Sequence, residues 1–179
     1  MDNWVLHFRT VFGFVTEHEW TLPDPYGLMK SRVVRSTNNT VRIPLNISEN
    51  RNTAIARSVS TYKGSGLQHI AFSTQDIFAA VALVRSNGVA LLEISENYYD
   101  DLLARFSLEE AFVDRLKAHN ILYDADQWGG GFLHVYSQPF EERFFFEIVQ
   151  RMDGYDQYGA VNTPVRLAAQ TQHRKKSFE

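Results

Sequence analysis

Residues 67–88, LQHIAFSTQDIFAAVALVRSNG, decide the fold. Leu67 to Ser73 reads as a strand. Ile77, Ala80, Val81 and Val84 then recur at helical spacing up to Asn87, and Gly88 is a natural stop. Thr74 is the expected N-cap, with Asp76 in the first turn. Downstream come a short apolar segment (89–94), two helical stretches (98–106 and 108–119) and three strands (121–127, 132–138, 143–151). Residues 129–131, a glycine triplet, join the first two of these strands. Because it precedes a strand and not a helix, the triplet is not a phosphate cradle.

The first third of the chain echoes this order. Trp4, Val5, Phe8, Val11 and Phe12 form a helical apolar stripe ending at Gly13. A strand from Phe14 to Trp20 is broken by residues 22–27, rich in proline. Two further strands (28–35 and 41–47) form a hairpin around Ser36 to Asn39, and a helix spans 54–62. The expected class is therefore α+β: paired β-α-β-β-β modules in a curved mixed sheet, the first module lacking its opening strand. The expected boundaries are 1–63 for the truncated module, 64–165 for the second module with its helical insertion, and 166–179 for a C-terminal tail. A first module without that strand would expose an unpaired sheet edge, open to homodimerisation or swapping.

Composition narrows the function. The 179 residues hold 18 Lys+Arg, 21 Asp+Glu and no cysteine. Thiolate nucleophiles, disulfides, Cys-rich zinc sites and iron–sulfur clusters are excluded, so a metal would need nitrogen and oxygen ligands. A net charge of −3 gives no support for nucleic acid or an anionic membrane as partner. Arg174-Lys175-Lys176 reads as a solvated tail. No apolar run reaches a membrane span, and the start is not a signal peptide, so the expected setting is cytoplasmic.

Three residues stand out as metal-ligand candidates. Glu147 lies in Arg143-Phe144-Phe145-Phe146-Glu147-Ile148-Val149, apolar on both faces, where a carboxylate is costly unless paired or bound to metal. A buried ion pair with Arg143 or Arg151 would serve as well. His69 opens the module that Glu147 closes, although a lone strand histidine is more often a satisfied core residue than a ligand. His134, sharing a face with Tyr136, would complete a set of two histidines and one carboxylate suited to Fe(II), Mn(II) or Zn(II).

The stretches 66–72, with Asp76-Ile77, and 145–151 resemble the 4-hydroxyphenylpyruvate dioxygenases, of the vicinal oxygen chelate superfamily. Asn97-Tyr98-Tyr99-Asp100 and Ile121-Leu122-Tyr123-Asp124 resemble further landmarks of that family. The resemblance runs from about residue 3 to about 165. It implies an Fe(II)-dependent dioxygenase acting with O2 on a small aromatic 2-oxo acid. His69 then corresponds to the second iron histidine and Glu147 to the iron glutamate. The first histidine belongs to a strand before the first helix, which would make this chain a fragment one ligand short; His7 lies within the helix and is no substitute.

Ser31 and Asn46 match pocket-side positions. His134 and Tyr136 stand where the family has a substrate-side Gln and a Phe, so hydroxyphenylpyruvate itself does not follow as the substrate. The opening residues 1–6 and the closing 158–170 are similar to the C-terminal part of bacterial 3-dehydroshikimate dehydratases fused to a dioxygenase-like domain. That similarity implies an N-terminal partner domain in the parent protein. It also leaves open a non-catalytic, accessory role for this part.

Overall fold

The computed structural model describes residues 1–141 and 143–176, and the side chains up to Arg174. The side chains of Lys175 and Lys176, and with them most of the basic cluster, lie outside the described residues. The chain forms two compact units, residues 1–66 and 67–179.

The first unit opens with α1 (Asp2–Phe12), closed by Gly13 in the left-handed conformation, φ 67°. Of its apolar stripe only Val5 is buried; Trp4, Val11 and Phe12 are exposed. Helical periodicity identifies an apolar face without saying what covers it. Three antiparallel strands follow: β1 (Val15–Asp24), β2 (Gly27–Arg35) and β3 (Arg42–Ile47), in the order β1-β2-β3. Contrary to expectation, β1 runs on through Pro23. Proline is tolerated because β1 is the edge strand of this sheet among the described residues. The Asp24 carboxylate then accepts from Tyr26 N–H and Ala54 N–H, each at 2.9 Å. One side chain thus turns the β1–β2 hairpin and tethers the start of α2 (Ala54–Tyr62), where Thr53 is the N-cap.

The second unit is the β-α-β-β-β module. It comprises β4 (His69–Ser73), α3 (Ile77–Ser86), α4 (Glu96–Arg105), α5 (Glu110–His119), β5 (Leu122–Ala125), β6 (Gly131–Tyr136) and β7 (Phe145–Met152). The strand order is β4-β7-β6-β5, with β4 parallel to β7 and the other pairs antiparallel. The mixed character of this sheet was legible, and the strands of the described residues form two sheets, of three and of four. The core joins Ile77 and Val81 of α3, Leu102 of α4, and Val113 and Leu116 of α5 to Leu133 and Val135 of β6.

Two local expectations change. The N-cap of α3 is Asp76, whose carboxylate accepts from Phe78 N–H and Ala79 N–H at 3.0 Å, while Thr74 merely braces Asp76. The expected tail from residue 166 is instead part of helix α6 (Thr163–Lys176), with Leu167 and Ala169 buried. No helix among the described residues is long and apolar enough to cross a membrane.

Loss of the two capping bonds in Asp76→Ala should cost about 1 kcal/mol of stability. Denaturant melts should show a larger loss for this variant than for Thr74→Ala.

Candidate functional site

Strand register assembles the site. On β7, Phe145, Glu147 and Val149 alternate onto one face. Glu147 is opposite Tyr136 and Val149 opposite His134 on β6, while Phe145 is opposite His69 and Glu147 opposite Ala71 on β4. His69, Glu147, His134 and Tyr136 therefore share one face of one sheet, although they come from three strands.

Glu147 is only 6% exposed. His134 Nδ1 lies 2.8 Å from its Oε1 and His69 Nε2 lies 3.4 Å from its Oε2. Burial pushes the carboxyl up. The hydrogen bonds and positive potential of the two imidazoles outweigh that and hold it well below the usual carboxylate range. Glu147 is thus an ionised, buried acceptor, and its partners are histidines, not Arg143 or Arg151 as one reading of the sequence had it.

The two histidines differ. His69 stacks on Phe145, with ring centroids 4.8 Å apart, and its buried Nδ1 has no hydrogen-bond partner. His134 is fully buried, and both of its ring nitrogens are engaged: Nδ1 with Glu147 and Nε2 with Asn162 Nδ2 at 3.0 Å. A fully engaged imidazole has no lone pair left for a metal. The set of His69, His134 and Glu147 that spacing allowed is therefore not assembled, and among the described residues no group of three or more such side chains is placed to hold a metal.

His69 Nε2 and Glu147 Oε2 do suit a shared ion. Two donors at about 2.1 Å from one metal, roughly 90–110° apart, are about 3.0–3.4 Å from each other. The observed 3.4 Å falls in that range.

Two further residues escaped sequence reasoning. Asn162 sits at the end of a single 3-10 turn, Ala160–Asn162, leading into α6. It lies in residues 158–170, the closing stretch that resembles the fused dehydratases, and that was the available signal. Arg166 on α6 is 4% exposed, its guanidinium 5.6 Å from the Tyr136 ring centre and 5.4 Å from that of Phe145. A lone arginine among apolar helix positions was its only mark. Burial, then the nearby Glu147 charge, pushes the Tyr136 hydroxyl well up, so it stays neutral.

Ser31 and Asn46 lie in the first unit, opposite each other on β2 and β3. Ser31 is buried, and the buried Oδ1 of Asn46 has no hydrogen-bond partner.

Comparison with known proteins identifies the family. The family model described as Glyoxalase/Bleomycin resistance protein/Dioxygenase superfamily matches residues 1–129. A 3-dehydroshikimate dehydratase of Pseudomonas aeruginosa is 59% identical over 175 residues, which is 98% of this chain and 28% of that protein. A probable 4-hydroxyphenylpyruvate dioxygenase 2 of Aspergillus fumigatus is 38% identical over 176 residues, covering 90% of this chain and 42% of that protein. A solved structure described as a xylose isomerase-like TIM barrel/4-hydroxyphenylpyruvate dioxygenase fusion protein superposes with a TM-score of 0.82 at 53% identity, covering 97% of this chain and 27% of that one. The chain thus spans between about a quarter and two fifths of the length of these relatives.

Burial pushes up the hydroxyls of Tyr98, Tyr99, Tyr136 and Tyr155, the last also through its 2.5 Å bond to Asp124. Their folded-state values exceed the unfolded value of about 10. The stability they contribute is complete below about pH 10 and is lost as the pH rises toward the folded values. An alkaline titration should show these tyrosines ionising only as tyrosine near-UV dichroism collapses; ionisation with the dichroism intact would contradict their burial.

Proposed function

The chain belongs to the Glyoxalase/Bleomycin resistance protein/Dioxygenase superfamily, and on that basis we propose that it is part of a 4-hydroxyphenylpyruvate dioxygenase-like, Fe(II)-dependent domain. The observation that carries the proposal is the His69–Glu147 pair, two donors at the separation of neighbouring ligands on a buried, ionised site. The remaining protein donor would come from sequence outside residues 1–179, in a parent protein with a fused N-terminal barrel. The fusion relatives, of which this chain spans 27–28%, support that arrangement.

Bound Fe(II) would supply the activation of O2 and the oxidative decarboxylation of an aromatic 2-oxo acid. The protein's part is positional. His134 fixes one oxygen of Glu147, leaving Oε2 turned to His69. Phe145, stacked on His69, and Tyr136, buried beside it, keep water from that side of the pair. Tyr136 remains a neutral hydroxyl at the edge of the site. Ser31 and Asn46 are proposed to line the substrate pocket, Asn46 Oδ1 being a buried acceptor with its hydrogen-bonding capacity unused.

A second reading has the domain serve as a non-catalytic partner of a dehydratase. It is favoured by the higher identity to the 3-dehydroshikimate dehydratase, 59%, than to the dioxygenase, 38%. Oxygen consumption by the full-length protein with Fe(II) and a panel of aromatic 2-oxo acids separates the two. Under the dioxygenase reading, uptake is substrate-dependent, and His69→Ala or Glu147→Ala abolishes both it and stoichiometric iron binding. Iron binding unchanged in both variants would overturn the ligand assignment, and stoichiometric iron without oxygen uptake would favour the accessory role.

A further inference from the structure

Residues that never touch the proposed ion fix the geometry of one of its ligands, through a chain of hydrogen bonds that begins at a backbone carbonyl. The carbonyl oxygen of Tyr123, in β5, can only accept. Asn162 Nδ2 lies 2.9 Å from it. The amide must therefore present its NH2 group there, since the opposite orientation would set two acceptors against each other. Asn162 Oδ1 then faces the Tyr98 hydroxyl at 3.2 Å, and that hydroxyl accepts from Tyr123 N–H at 2.9 Å. The same Asn162 NH2 group lies 3.0 Å from His134 Nε2. A nitrogen facing a donor must be the bare one, so the ring proton of neutral His134 sits on Nδ1 and is donated to Glu147 Oε1 at 2.8 Å.

We propose that Asn162, held by Tyr98 and the Tyr123 carbonyl, is a positioning residue that sets the tautomer of His134 and thereby the orientation of Glu147 as a metal ligand. The inference rests on the metal-site reading above for its consequence, but not for its geometry. It also reassigns His134. The sequence placed this residue in the substrate pocket, whereas both of its nitrogens are committed to protein partners.

The turn that carries Asn162 is built to press on this ring. Gly159, at φ 64°, begins the turn, and its N–H donates to the Tyr155 hydroxyl at 3.1 Å. A Cβ at Gly159 would stand 2.6 Å from Phe132 and 3.2 Å from His134 Cε1. Only glycine fits both the backbone conformation and the space. Tyr155 stacks on Phe132, which in turn packs on His134, so the turn, the ring and the strand form one packed stack.

The test has two arms. In metal-free, histidine-labelled protein, nitrogen NMR should report His134 as the Nδ1–H tautomer, with Nε2 bare; an Nε2–H tautomer would overturn the proposal. In anaerobic Fe(II) titrations of the full-length protein, Asn162→Leu and His134→Leu should each weaken affinity by roughly 10–100-fold. His134→Gln, which still offers an N–H to Glu147, should keep affinity within about threefold of the parent on the same reasoning. Wild-type affinity in both leucine variants would overturn the proposal, and so would an equal loss in His134→Gln and His134→Leu. If Asn162→Leu does not fold, the two His134 variants and the tautomer decide. Parent protein that binds no iron would sink the metal-site reading instead, and the tautomer would still report on the clamp.

Discussion

A single buried carboxylate organises the second unit. Glu147 is ionised at 6% exposure in the central strand of its sheet, and such a charge persists only if its oxygens are matched by donors. Both neighbouring strands answer that demand, β6 with His134 and β4 with His69. Register is thereby constrained on both sides. A slip of one residue in either pairing would turn the histidine to the opposite face and leave the carboxylate without its partner. The surrounding aromatic rings of Phe145, Tyr136 and Phe132 are consistent with this demand, since they exclude water that would otherwise solvate the charge.

Much of this was legible in the sequence for a physical reason. Strand and helix periods are local, and β7 advertises itself as a doubly apolar strand with one misplaced carboxylate. The pairing of His69 and Glu147 with different strands of one sheet follows once the module is recognised. What was not legible depends on long-range contacts. Nothing near Asn162 announces that it meets Tyr98 and His134, because three separate elements must pack before those atoms are neighbours. The same holds for Arg166, which lies against rings on β6 and β7. In the first unit, Pro23 signalled a break but occupies an edge strand, and the stripe of α1 signalled a core face but is largely exposed. Composition tells what a residue tolerates, not which side of the sheet its neighbour leaves open.

Family membership and chemistry meet at this site from different directions. The superfamily match covers residues 1–129 and so does not reach Glu147 at all, whereas the geometry centres on it. The dehydratase and dioxygenase relatives both extend well beyond this chain, which is why the proposed activity is assigned to a longer protein. Within the second unit, His134 stands where the family resemblance expects a glutamine, and its Nδ1 lies 2.8 Å from Glu147 Oε1.

The strand order β4-β7-β6-β5 also fixes the order in which the unit can be completed. β7 is the last of these four strands in sequence, yet it occupies an interior place, between two strands that are made before it. Until it inserts, β4 and β6 each present an open edge, and His69 has no carboxylate to face. Closing that gap means pairing residue 69 with residue 145, a distant contact whose loop entropy is met before any local reward. Of the four strands of this sheet, the last to be synthesised is therefore the one that seals it and brings Glu147 between His69 and His134.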